Sequence, residues 1–292
     1  MLTRTWASLS LLAVTQSALA NIDIQFDYSF DSSGFFSDAS RQSVLDGVAT
    51  VFESRFADSL TAIDSAGSNS FSTVFFNPSD PDGFDVTLAG QDIALDVIRI
   101  YVGGASLGGS TLGLGGPGGF SCSGFGSFCS DAANRGQLPD PADVSPWGGS
   151  ISFNTDSNWY FGLTPDYLQS DEFDFYSVAL HELAHVLGYG TSGSFDSHIV
   201  DGNFVGSAAG TVALTSDTSH WAEGTQSTFN GMAQEAAMDP SITAGTRKYF
   251  TDLDFAAMQD IGWQVTPVPE ASTWAMMLVG LALVGGVARR RA

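Results

Sequence analysis

His181-Glu182-Leu183-Ala184-His185 is where residue type and spacing first specify a chemistry in this sequence. Two imidazoles four residues apart project from one face of a helix and can bind one metal ion at about 2.0–2.1 Å. Glu182, rotated about 100° from His181 around the helix, can reach a water in the metal's open coordination position and take its proton. The flanking Val178, Ala179, Leu180, Val186 and Leu187 keep the segment apolar, as a motif buried against a core requires. All 4 histidines fall between positions 181 and 220. These residues point to one catalytic zinc ion held by His181 and His185, with Glu182 as general base. A catalytic zinc usually takes three protein ligands, which leaves one to be found.

Gly188 stands three residues after His185, where it can leave the helix with positive φ and turn the chain beneath the metal. The metzincin pattern HExxHxxGxxH would place the third histidine at position 191, which here is Thr191. Farther on, Ser219-His220-Trp221 is followed by Ala237-Met238-Asp239-Pro240. This order resembles the leishmanolysin branch of the metzincin zinc peptidases, in which an insertion displaces the third histidine and a Met-containing turn floors the metal. The resemblance covers about residues 150 to 263 and implies His220 as third ligand and Met238 as the turn methionine. Leishmanolysin is cysteine-rich, whereas this chain has 2 Cys, so neither its disulfide framework nor its cysteine-based latency carries over. His198 is a rival third ligand. So is Glu235, because Glu235-Ala236-Ala237-Met238-Asp239 has the E-x-x-x-D spacing of the gluzincins, although Pro240 argues against a long ligand-bearing helix there.

The elements that must position these residues can be read from periodicity. Residues 22–30 alternate, with Ile22, Ile24, Phe26, Tyr28 and Phe30 on one face, as in a half-buried strand. From Ser40, apolar residues recur at three and four positions through Val44, Leu45, Val48, Val51, Phe52 and Phe56, which predicts a helix to about Ala62. Ser72–Asn77, Phe84–Leu88 and Ile93–Val102 are β-rich, and Gly148–Asn154 is a short alternating strand. Residues 103–126 are so rich in Gly and Ser that a long surface loop is expected. Phe175 to Leu187 reads as the helix carrying the motif, irregular chain follows Gly188, and Thr251-Asp252-Leu253-Asp254 opens a last short helix. With the resemblance, the expected fold is α+β and metzincin-like: a twisted mixed sheet packed on two long helices, with an irregular C-terminal lobe carrying the third ligand and Met-turn. A peptide substrate is then expected antiparallel to an edge strand at Gly149–Asn154, and Tyr249 is a candidate oxyanion helper.

The ends of the chain concern its destination. Residues 1–20 read as a secretory signal peptide, with Arg4, an apolar run and Ala18-Leu19-Ala20. An exported chain meets an oxidising compartment, where Cys122 and Cys129 can pair across their short loop. Residues 264–270 read as a linker with a Pro-Glu motif, and 271–292 as a short hydrophobic helix ending in Arg289-Arg290-Arg291. That tail resembles the PEP-CTERM sorting signal, which implies an exosortase-like processing partner and membrane contact through the helix. The catalytic domain spans 21–263. A net charge of −22 disfavours nucleic acid and anionic membrane surfaces as partners. The acidity has two readings: solubility in salt, or Ca2+ capture by clusters such as Asp80-Pro81-Asp82-Gly83, which lacks EF-hand spacing. Together these features suggest an exported zinc endopeptidase acting on peptide or protein substrates. The alternative is a non-enzymatic surface or matrix protein with structural zinc, and Glu182 argues against it, since a closed site has no use for a carboxylate beside an open position.

Overall fold

The computed structural model describes residues 22–267. The signal segment 1–20 and the hydrophobic helix at 271–292 lie outside those residues. The chain runs β1 (Asp23–Asp27), α1 (Ala39–Glu53), β2 (Ser70–Phe75), β3 (Val86–Leu88), β4 (Val97–Ala105), β5 (Gly113–Pro117), β6 (Gly119–Ser123), α2 (Phe128–Asn134) and β7 (Gly148–Asn154). Then follow β8 (Trp159–Tyr160), β9 (Phe173–Asp174), α3 (Phe175–Val186), α4 (Gly193–Ser197) and β10 (Ile199–Val200). The last are β11 (Asn203–Gly206), β12 (Gly210–Ala213), β13 (Gln226–Phe229), β14 (Met232–Glu235) and α5 (Asp252–Asp260). Among the described residues no helix is long and apolar enough to cross a membrane.

The central sheet has the order β1-β4-β7-β5. β1, β4 and β7 are parallel, and β5 runs antiparallel to β7. β4 is buried along almost its whole length, as a strand covered on both faces must be, and its run Val97-Ile98-Arg99-Ile100-Tyr101-Val102 is accordingly apolar. α1 packs on α3 through Val44, Leu45, Val48 and Phe52, inside one core shared with Ile98, Ile100, Ile151 and Leu180. A second sheet, β3-β2-β6, encloses a smaller core of Phe71, Phe75, Tyr101 and Trp147. Cys122 on β6 and Cys129 on α2 form a disulfide beside it.

Five expectations are corrected. The mixed α+β class holds, but two long helices do not form: α1 has 15 residues and α3 has 12. α1 stops at Glu53, short of Ala62, because the chain beyond it is used in tertiary pairing. Ala57 N–H donates to Gln264 O, Thr266 N–H donates to Arg55 O, and Phe56 bridges Val265. The segment 103–126 is not a loop; it supplies β5 and β6. As a result β7 is flanked by β4 and β5, so among the described residues the edge strand on that side of the sheet is β5 and not Gly149–Asn154. Nor is the region after Gly188 irregular, since it holds α4, the β10-β11-β12 sheet and the β13-β14 hairpin.

Candidate metal centre

The helix that carries the motif is fixed at both ends. Asp174 caps α3 by accepting the Ser177 N–H at 3.0 Å, which places a negative charge at the positive end of the helix. Arg247 grips the same carboxylate with Nε at 2.9 Å and Nη2 at 2.7 Å, and donates onward to Gly162 O and Leu163 O. At the other end Gly188 has φ +101 and closes a Schellman turn, with Tyr189 N–H donating to Ala184 O and Gly188 N–H to His185 O. A Cβ at Gly188 would also lie 2.6 Å from Val144 Cγ2. The turn sends the Tyr189 carbonyl back toward the helix, where it accepts a hydrogen bond from His185 Nδ1 at 2.8 Å.

The structure brings His181, His185 and His220 together. Their Nε2 atoms lie 3.1 Å (His185 to His181), 3.1 Å (His185 to His220) and 3.2 Å (His220 to His181) apart. His181 Nδ1 faces the Ala237 carbonyl at 2.8 Å. A carbonyl only accepts, so Nδ1 carries the proton in His181 and His185, and each Nε2 presents a bare lone pair. Burial drives His181 well below the usual imidazole value and His185 down to about 4, and it lowers His220 as well. The rings are therefore neutral at neutral pH, and their lone pairs converge on a common point. Such an arrangement repels itself unless a cation fills it. Ligand nitrogens on a tetrahedral zinc at about 2.0–2.1 Å stand roughly 3.3 Å from one another, so the donor set fits that ion. His220 Nδ1 faces Asp217 Oδ1 at 3.6 Å, beyond hydrogen-bonding range.

Glu182 lines the same cleft, of about 590 Å³, as the three histidines. Glu182 is buried, 7% exposed as a residue, and burial pushes its pKa up to about 8 against the lowering effect of a hydrogen bond from the Gly115 backbone. β5 roofs the cleft, and its glycines allow it to lie directly on α3. A Cβ at Gly115 would come within 2.3 Å of the Glu182 carbonyl oxygen, and one at Gly113 within 2.7 Å of Glu182 Cγ and Oε1. The opposite wall is Pro240, Ser241, Ile242 and Lys248.

The rival ligands lie elsewhere. Both ring nitrogens of His198 face backbone carbonyls, Val205 O and Asp260 O, each at 2.9 Å. Glu235 sits on strand β14, and its Oε2 pairs with Lys248 Nζ at 2.8 Å. The described residues hold one further group of three potential metal ligands, Glu223, Glu235 and Asp239. Two of these carboxylates already flank the Lys248 ammonium. Residues 80–83 form a turn and are in neither group. The Tyr249 ring stacks on Phe229 at 4.4 Å and is not among the residues lining the cleft.

Sequence reasoning missed several contributors. Ala237 and Tyr189 act through backbone oxygens, which no side-chain motif reports. β5 is made largely of glycine and carries no periodic signal. Arg247 and Lys248 are single charges in the sequence with no motif around them; Arg247 finds Asp174 73 residues away, and Lys248 finds Glu235 and Asp239.

Residues 267–292 match the model of the PEP-CTERM protein-sorting motif. The chain carries that motif at its C-terminus. It marks an exported, cell-surface protein and implies recognition by an exosortase-like processing enzyme. Residues 147–205 match a family model described as SPBPB7E8-like. That match takes in β7, α3 with His181, Glu182 and His185, and the chain as far as β11, and it ends before His220. No curated protein and no solved structure matches the chain.

Proposed function

We propose that this chain is an exported zinc-dependent endopeptidase of metzincin type, leishmanolysin-like in the spacing of its third ligand. The observation that carries the reading is the convergence of three neutral imidazoles beside a buried glutamate, at the floor of a cleft with a free strand edge above it. His181, His185 and His220 would hold the metal. Zinc bound there would lower the pKa of a bound water toward neutrality and polarise a carbonyl.

The remaining steps belong to the chain's own groups. Glu182 takes the proton of the attacking water on its carboxylate and returns it to the leaving amine. In metal-free protein burial favours its neutral form, and a dication close by would restore the carboxylate that a base requires. The free edge of β5 offers backbone donors and acceptors to an extended peptide, which would lie antiparallel to it, and the cleft holds side chains below that edge. Met238 is fully buried, its carbonyl accepting from Trp221 N–H at 3.0 Å, as suits a turn methionine beneath the ligands.

Glu182→Gln preserves shape and removes the base. Zinc content should stay at wild type while cleavage of an unstructured protein such as casein is lost. A variant that still cleaves at the wild-type rate would remove Glu182 from that role. A wild type that holds zinc but cleaves neither protein nor peptide would leave the non-enzymatic alternative.

A further inference from the structure

One buried carboxylate reaches the supports of two of the three imidazoles. Asp254, in the first turn of α5, is fully buried. Its Oδ1 accepts from Trp221 Nε1 at 2.9 Å and from Met238 N–H at 3.3 Å. Its Oδ2 accepts from Ala237 N–H at 2.9 Å, Thr251 N–H at 2.8 Å and Thr251 Oγ1 at 2.6 Å. The Thr251 N–H bond, with Asp254 N–H donating back to Thr251 Oγ1 at 3.3 Å, completes a capping box, and a capping box needs nothing more. The other three donors come from 16, 17 and 33 residues away in sequence. Each lies on chain that carries the metal site. Ala237, held at its N–H by Asp254, presents the carbonyl that orients His181. Trp221, held at its indole by Asp254, is the residue after His220, and its own N–H is bonded to Met238 O.

We propose that Asp254 is the positioning residue of the metal site, fixing the directions of His181 and His220 together through Ala237 and Trp221. The proposal rests on reading these histidines as metal ligands. Burying a carboxylate is costly unless its oxygens are satisfied, and capping a helix does not require burial. The three donors from outside the capping box make charge-assisted bonds to one carboxylate, roughly twice as strong as neutral ones, and hold their segments to α5. An amide cannot stand in, because its NH2 would face N–H groups. His185 takes its backbone support from Tyr189 at the exit of its own helix and has no hydrogen-bonded link to Asp254; only the packing of the Tyr189 ring on Trp221, at 5.4 Å, connects them. The structure thus contains an internal control.

Cobalt(II), which accepts the same imidazole set and reports its geometry in visible absorption, is the probe. In folded Asp254→Asn the dissociation constant for cobalt should rise about 10–100-fold and the absorption bands should move. In the metal-free protein the ring nitrogen NMR signals of His181 and His220 should shift more than those of His185. Thr251→Val removes a cap hydroxyl and none of the three outside donors, so it should lower Tm without changing metal affinity or histidine signals. If Asp254→Asn fails to fold, Trp221→Phe removes one donor, and His220 signals should then move more than those of His181. A folded Asp254→Asn with wild-type cobalt affinity, spectrum and histidine signals would reduce Asp254 to a capping residue and overturn the proposal. A wild-type protein that binds neither cobalt nor zinc would overturn the metal reading instead, and the metal-free histidine signals would still decide the role of Asp254.

Discussion

The floor and the roof of the cleft are built on opposite principles. The floor is specified by side chains: Asp174 and Arg247 clamp one end of α3, Gly188 and Tyr189 close the other, and each of His181 and His185 is aimed by a carbonyl. The roof is specified by their absence. β5 approaches α3 closely only because Gly113 and Gly115 carry no Cβ. A floor of this kind would hold the proposed metal in place, whereas a roof of this kind sets the distance between the strand edge and Glu182. Changes to the two walls should therefore fail differently.

Removing Arg247 should have the largest effect. Arg247→Ala leaves the Asp174 carboxylate buried without its cation, at a cost of about 3–5 kcal/mol. Zinc retention should fall together with Tm, because the helix that bears two imidazoles loses its anchored end. Wild-type stability in this variant would show that the cap alone holds α3. On the roof, Gly115→Ala drives a Cβ into a backbone carbonyl that cannot move aside, with an expected cost of about 1–3 kcal/mol. Zinc content of the folded fraction should stay near wild type. If Gly115→Ala lost metal as readily as Arg247→Ala, the division of labour between the walls would be wrong. Gly113→Ala is milder for stability, since its Cβ meets the Glu182 side chain and not backbone. Displacing that carboxylate should slow peptide cleavage by up to about 10²-fold at unchanged zinc content. Equal turnover in Gly113→Ala and wild type would separate Glu182 from the chemistry.

The same contrast explains what could be read from the sequence. The histidines of the floor were legible because their spacing, Gly188 and the Trp and Met around the third histidine are residue-type signals, and α3 and β7 lie close to where the pattern placed them, whereas Arg247 and the carbonyls of Ala237 and Tyr189 left no local signal. The roof was not legible. A strand of Gly113-Leu114-Gly115-Gly116-Pro117 has neither β propensity nor alternation, and its reason for being glycine lies on another element. The end of α1 was misread for a related cause. Phe56 continues the helical spacing, yet it packs on Trp263 at 4.6 Å from the far end of the chain, a contact that local periodicity does not encode.

The smallest expected effect lies away from both walls. Asp58 is 1% exposed, and burial, with the Asp143 charge adding to it, pushes its carboxyl up to about 6. Its unfolded value is about 3.9. Between those values the folded chain holds a proton that the unfolded chain has released, so stability falls as pH rises through about 6. Tm should decline modestly from pH 5 to pH 7.5 in the wild type and decline less in Asp58→Asn. Parallel curves for the two would remove Asp58 as the cause.

The claim on which all of this depends is that His181, His185 and His220 form one metal site. Zinc stoichiometry after dialysis against a weak chelator, measured on His220→Ala, His198→Ala and Glu235→Gln, tests it most directly. One zinc per chain should persist in the wild type, His198→Ala and Glu235→Gln, and should be largely lost in His220→Ala. Retention of zinc in His220→Ala with loss in either other variant would contradict the account.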